Sequence, residues 1–178
     1  MIKLLENYPF KNIGIKIVQG FNLEREHFGI DYILKKGDEL ASFEVYNMFE
    51  GSANFGVNNK LGKYFVLAKQ YGNFLYKVVY AHLDNINENL QKYAIIQGDR
   101  EFIIPAKYPL GWSAKAGVTF GIRKLHIEIQ LTNLETGLKQ KIDPYGIYGR
   151  QESVIYPQPG ESLENFPHLW KTDEPEFI

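Results

Sequence analysis

A chain of 178 residues is long enough for one well-cored domain, and nothing in its composition forces a second. Lys+Arg 20 against Asp+Glu 21 leaves no basic excess for a broad nucleic-acid footprint, and with Cys 0 neither disulfides nor thiolate metal sites can form. Any transition metal would have to be held by His, Asp or Glu, and the histidines are only His27, His82, His126 and His168.

Tyr 12, Phe 12 and Gly 16 suit a β-rich protein with many tight turns. No run reaches the roughly 18 apolar residues of a membrane span. At the N-terminus, Met1-Ile2-Lys3-Leu4-Leu5-Glu6-Asn7 puts an acid and an amide where a signal peptide needs an apolar run. The expectation is a soluble chain without a visible secretion signal.

Residues 1–20 read as a lead-in, with a short apolar alternation from Ile13 to Val18 punctuated by Pro9, Gly14 and Gly20. Residues 21–34 contain a strand that carries His27-Phe28-Gly29-Ile30-Asp31-Tyr32. In an extended strand residues i, i+2 and i+4 line one face, so His27 and Asp31 project together while Phe28, Ile30 and Tyr32 turn to a core. Lys35-Lys36-Gly37-Asp38 then gives a strong turn signal, and Leu40 to Phe49 a further strand. Ser52 to Gly62, rich in Asn and Gly, reads as a surface loop on the rim of a site.

The β-branched and aromatic runs Lys63–Ala68 and Leu75–Leu83 are joined by Tyr71-Gly72-Asn73, a hairpin pattern in which Val78, Tyr80 and His82 share a face. Asp84 to Gln97 has the only helical character, Gly98-Asp99 turns into Phe102–Pro105, and a Pro- and Gly-punctuated loop leads to Trp112. After Gly117–Gly121 comes the cleanest period-2 segment, Ile122 to Leu131, with Leu125, Ile127, Ile129 and Leu131 on one face and Lys124, His126, Glu128 and Gln130 on the other. Turn signals with Asp143-Pro144-Tyr145-Gly146 follow, and residues 150–178 form a Pro-rich acidic tail packed over the domain, leaving 21–149 as the domain proper.

Three histidines and an aspartate thus fall on the polar faces of three predicted strands. Two His and one carboxylate around Zn²⁺ leave a fourth position for water, whose pKa the ion brings to about 7. A further imidazole nearby suits proton transfer at neutral pH.

His27-x-x-x-Asp31, then Tyr80-Ala81-His82-Leu83, then Leu125-His126-Ile127-Glu128-Ile129 together resemble the lysostaphin-type (LytM-like) zinc metallopeptidases, which cut peptides of bacterial peptidoglycan. The resemblance runs from about residue 20 to about residue 145 and includes Asp143-Pro144. It implies a mainly β, single-domain antiparallel sheet or sandwich of the LytM-like (duplicated hybrid motif) type with a groove over the sheet. It further implies one zinc ion held by His27, Asp31 and His126, His82 as general base or oxyanion partner, a peptidoglycan peptide as substrate and the cell wall as the place of action.

Where the family has the first member of a His-x-His pair, this chain has Lys124. In the family that first His is a second catalytic group and not a ligand. The ammonium of Lys124 can steady a developing oxyanion, but it is a poor base unless its pKa falls well below about 10.4. Two readings follow: a working hydrolase, or a degenerate module that keeps its metal and binds a wall component or regulates a partner.

A lone strand histidine is usually a surface or satisfied core residue, and His168, outside the pattern, is read as structural or exposed. Glu128 either orients His126 or is a solvated sheet residue. Trp112 is expected in the core and Tyr71 in a turn. No phosphate-binding Gly-rich loop, His-Glu-x-x-His helix or Gly-x-Ser-x-Gly elbow is present.

Overall fold

A computed structural model describes residues 2–11, 14–37, 39–90, 102–113, 124–146 and 155–178. Among these the chain is mainly β. The strands are β1 (Ile15–Gln19), β2 (Gly29–Lys36), β3 (Glu39–Ala41), β4 (Glu44–Tyr46), β5 (Gly51–Asn58), β6 (Gly62–Tyr71), β7 (Phe74–Ile86), β8 (Phe102–Ile104), β9 (Pro109–Ser113), β10 (Leu125–Asn133) and β11 (Lys139–Ile142). They make one sheet of antiparallel ladders in the order β1-β2-β10-β7-β6-β5-β8, to which β3, β11, β9 and β4 attach.

The alternation of apolar residues explains which face is buried. Ile30, Ile127, Tyr80 and Phe65 are fully or almost fully buried, and they lie directly opposite one another across β2, β10, β7 and β6. Leu125 opposes Tyr32 in the next row. Burying each such side chain is worth about 1.5–3 kcal/mol, so these rows pin the register. One residue along, the opposite face carries Asp31, His126 and Ala81 side by side.

The N-terminal segment and the tail meet over the core. Isolated parallel bridges join Leu5 to Trp170 and Asn7 to Glu176. An aromatic seam runs through Tyr8, Trp170 and Tyr145, with ring centroids 5.6 and 4.8 Å apart, and Phe10 stands edge-on to Tyr32. No helix among the described residues is long and apolar enough to cross a membrane.

Several expectations are corrected. Ser52 to Gly62 is not a surface loop, because most of it is β5, paired on one side with β6 and on the other with β8. Its Asn and Gly content mimics a turn, but the turn itself is only 59–61, where Asn58 Oδ1 accepts from the amides of Lys60 and Leu61. Leu40 to Phe49 is not one strand either: β3 pairs with β2 and β4 with β9. Asp84 to Ile86 belong to β7 and not to a helix, since they ladder with β9, whereas Glu88 to Leu90 are helical as expected. The rest of the expected helix from residue 91, the Gly98-Asp99 turn and the run from Gly117 to Arg123 lie outside the described residues. Trp112 is half exposed, on the outward side of β9 opposite Glu44 and Asn85.

Candidate metal centre

His126 lies near the start of β10 and directly opposite Asp31 of β2. Their side chains meet, with His126 Nδ1 2.7 Å from Asp31 Oδ1. Gly29, two residues before Asp31, leaves room for this. A Cβ there would stand 2.5 Å from His126 Cε1, so any side chain would expel the imidazole.

His27 reaches the same carboxylate by a different route from the expected one. It is not part of the strand that carries Asp31, because β2 begins at Gly29. Instead the chain turns tightly through residues 23–26, Glu26 takes a positive φ of 52°, and His27 bridges back to Asn22. The turn is fixed by paired backbone bonds between Asn22 and His27, 2.7 and 2.9 Å long.

Orientation of the ring comes from Gly20. His27 Nδ1 lies 2.6 Å from the Gly20 carbonyl, which can only accept, so Nδ1 carries the proton. Nε2 then faces Asp31 Oδ2 at 3.3 Å and is buried, without a hydrogen bond among the described residues. A bare nitrogen lone pair against a carboxylate oxygen is unfavourable, and a cation between them relieves it.

The carboxylate is the hub. Asp31 is fully buried. Burial pushes its carboxyl up, but the hydrogen bond from His126 outweighs that and holds it well below the usual range. Lys124, two residues before His126 on the same face, places Nζ 2.6 Å from Asp31 Oδ2.

His82 arrives by an irregularity. Strict alternation would put it on the Tyr80 side, in the core. The register shifts between the Phe65–Tyr80 and Lys63–Leu83 pairs, so β7 carries one extra residue there, and His82 takes a φ of 60°. Leu83 recovers the core phase, and the His82 ring comes within 5.9 Å of the His126 ring. The expectation that Val78, Tyr80 and His82 share one face is therefore corrected. Burial, and then the neighbouring His126, lower the His82 pKa to about 4, leaving a neutral imidazole whose Nδ1 has no hydrogen-bond partner among the described residues.

His27, Asp31 and His126 each offer one ligand atom, all within 4.8 Å of one another, so the three can hold a metal ion. Two residues weighed from the sequence fall elsewhere. Glu128 is tied to Lys141 and Gln130 and does not orient His126. His168 is buried within the tail, held by Trp170 and Asp173.

The sequence reading missed the supports. Tyr156, from the tail, lies so close to Gly20 that a Cβ there would come within 2.2 Å of its ring. Its hydroxyl accepts from Phe21 N at 3.1 Å and donates to the buried Asp143. The sequence signal for this packing was Gly20, a position without a side chain where the Tyr156 ring comes close to the backbone.

Fold and cluster together define a class: a mainly β protein whose outward sheet face carries a His-Asp-His group able to hold a metal ion. No protein-family model, no curated protein and no solved structure matches the chain.

Proposed function

We propose that the protein is a zinc-dependent metallopeptidase of the lysostaphin type, hydrolysing peptide bonds in peptidoglycan, with His27, Asp31 and His126 holding the ion. The observation that carries the metal reading is His27 Nε2, a buried nitrogen without a hydrogen bond, turned onto a buried carboxylate by the bond its other nitrogen makes to Gly20. The substrate class rests on the order His27-x-x-x-Asp31, Tyr80-Ala81-His82-Leu83 and Leu125-His126-Ile127 and its likeness to that family.

When bound, zinc supplies Lewis-acid polarisation of a carbonyl and acidifies water. The chain's own part is acid–base work and orientation. His82 is held neutral by burial beside the cluster, the state a general base needs. Gly20 fixes the tautomer of His27, and Asp31 fixes the ring of His126. Lys124 contributes positive charge at the same face, which favours an anionic oxygen on the substrate.

A second reading has its own observation. Lys124 Nζ is bound to Asp31, the central residue of the ligand set, which fits a module that has given up efficient turnover and binds or regulates instead.

The deciding experiment is metal content of the purified protein together with cleavage of purified peptidoglycan before and after chelation. About one zinc per chain, as a three-ligand site requires, with chelator-sensitive cleavage supports the hydrolase. Zinc without cleavage across several wall chemistries supports the binding module. Absence of metal after growth and refolding with zinc overturns both.

A further inference from the structure

We infer that Lys124 is a built-in competitor of the metal: its ammonium occupies Asp31 Oδ2 in the metal-free protein and must leave that oxygen when an ion is loaded. The inference rests on the metal reading above and adds a control of loading to it.

The geometry is specific to one oxygen. Lys124 Nζ lies 2.6 Å from Asp31 Oδ2, the same atom that His27 Nε2 faces at 3.3 Å. The other oxygen is taken by His126 Nδ1 at 2.7 Å. Asp31 Oδ2, the oxygen nearest His27 Nε2 and so the one it would offer to an ion held with His27, is the oxygen on which the ammonium sits. A monovalent cation and a divalent one repel each other at such range, and the walls are poorly screened because Asp31 is fully buried. The two cations therefore compete for Oδ2.

Lys124 has somewhere to go. Its side chain is 28% exposed, whereas Asp31 lies in a strand paired on both sides, opposite His126 of β10 and Gln19 of β1. The long, flexible stem lets the ammonium swing to water while the carboxylate stays in place. Until it does, Lys124 gives Asp31 the counter-charge that an ion would otherwise supply, so the sheet keeps a compensated carboxylate when no metal is bound. This differs from a role at the substrate, since it is read in binding and not in turnover.

The test compares zinc affinity, measured by competition with a chromophoric chelator, for the wild-type protein, Lys124→Gln and the charge-retaining Lys124→Arg. We expect Lys124→Gln to bind zinc about ten-fold more tightly, the low end of what residues contacting a ligand contribute to metal affinity, and Lys124→Arg to stay close to wild type. Unchanged or weaker binding by Lys124→Gln overturns the inference while leaving the metal site intact. Failure of all three proteins to bind zinc overturns the metal reading, and this inference with it.

A measurement on the unmutated chain keeps the inference testable should Lys124→Gln fold poorly. Acylation of Lys124 by an amine-reactive ester, followed by peptide mass spectrometry, should speed up several-fold when zinc is added, because the amine is released to water. An unchanged rate in zinc-loaded protein overturns the inference.

Discussion

Two buried histidine neighbourhoods in this molecule have the same ingredients and opposite bookkeeping of their polar atoms. In the tail, His168 is almost fully buried, yet both ring nitrogens are occupied: Nδ1 accepts from Trp170 N at 3.1 Å and Nε2 meets Asp173 Oδ1 at 2.9 Å, with Lys3 Nζ alongside. On the sheet face, His27 has one nitrogen fixed by Gly20 and the other buried without a hydrogen bond, and His82 likewise leaves Nδ1 without one. The carboxylates differ too, Asp173 being mostly exposed and Asp31 fully buried. A His–Asp–Lys grouping that completes its own hydrogen bonds cements two segments. One that leaves a nitrogen unused beside a buried charge can take a ligand that the chain does not contribute.

The contrast is broken most forcefully at the carboxylates. Asp31→Ala strips a buried charge from three partners and should lower the unfolding free energy by about 3 kcal/mol, the lower end for a broken buried pair because Lys124 is partly exposed. It should also weaken zinc binding by more than about 100-fold, since even indirect supports of a metal are worth 10–100-fold. Asp173→Ala should cost less than about 1 kcal/mol and leave zinc affinity unchanged, because its carboxylate is mostly in water. Urea titration and chelator competition on both variants check this. Equal zinc affinity in the two would place the metal elsewhere.

Exchanging the histidines should invert the two readouts. His168→Ala leaves the Trp170 amide buried without its acceptor and should cost about 2 kcal/mol, with no change in zinc binding. His27→Ala removes a single bond to Gly20 and should cost about 1 kcal/mol, yet abolish tight zinc binding. A His27→Ala protein that loads zinc normally would mean that the unused nitrogen marks no ligand.

Much of the candidate centre could be read from residue order alone, for reasons visible in particular residues. Asp31 and His126 sit in strands whose alternate residues are nearly all apolar, so period-2 fixed their faces and the structure opposes them directly. His27 reached the right neighbourhood although its segment is a turn, because the two-residue step to Gly29 keeps the same side. His82 was placed on the wrong face, since an extra residue in β7 is a property of its pairing with β6 and leaves no trace in the hydrophobic pattern. Ser52 to Gly62 misled because two neighbouring strands supply its order and its own composition does not. Lys124 was legible as a departure from a pattern, but its grip on Asp31 depends on side-chain reach across strands.

The tail sharpens the contrast by acting on the open cluster from a distance. Tyr156 packs on Gly20 and bonds to Phe21, so it holds the backbone whose carbonyl sets the His27 tautomer. Tyr156→Phe keeps the ring and removes only the hydroxyl. We expect a loss of about 1–3 kcal/mol from the buried Phe21 amide and Asp143 carboxylate, together with zinc affinity weakened by about ten-fold. A stability loss without any change in zinc affinity would confine Tyr156 to packing.

The smallest effect concerns His82 and is read through pH. Burial holds its folded pKa at about 4, whereas an unfolded chain titrates near 6.5. Between those values the unfolded state binds a proton that the folded state refuses, so stability rises with pH across the window and is lost as pH falls from about 6.5 towards 4. Asp31, with its depressed carboxyl, acts in the same direction but only as pH falls below the ordinary carboxylate range. In chelator, His82→Gln should therefore lose stability less steeply than the wild-type protein between pH 6.5 and about 4.5, and match its slope above pH 7. The measurement is a set of urea midpoints at fixed ionic strength. Equal slopes throughout would mean that the imidazole is not held neutral by the fold, and with that the case for His82 as the base beside His126 would go.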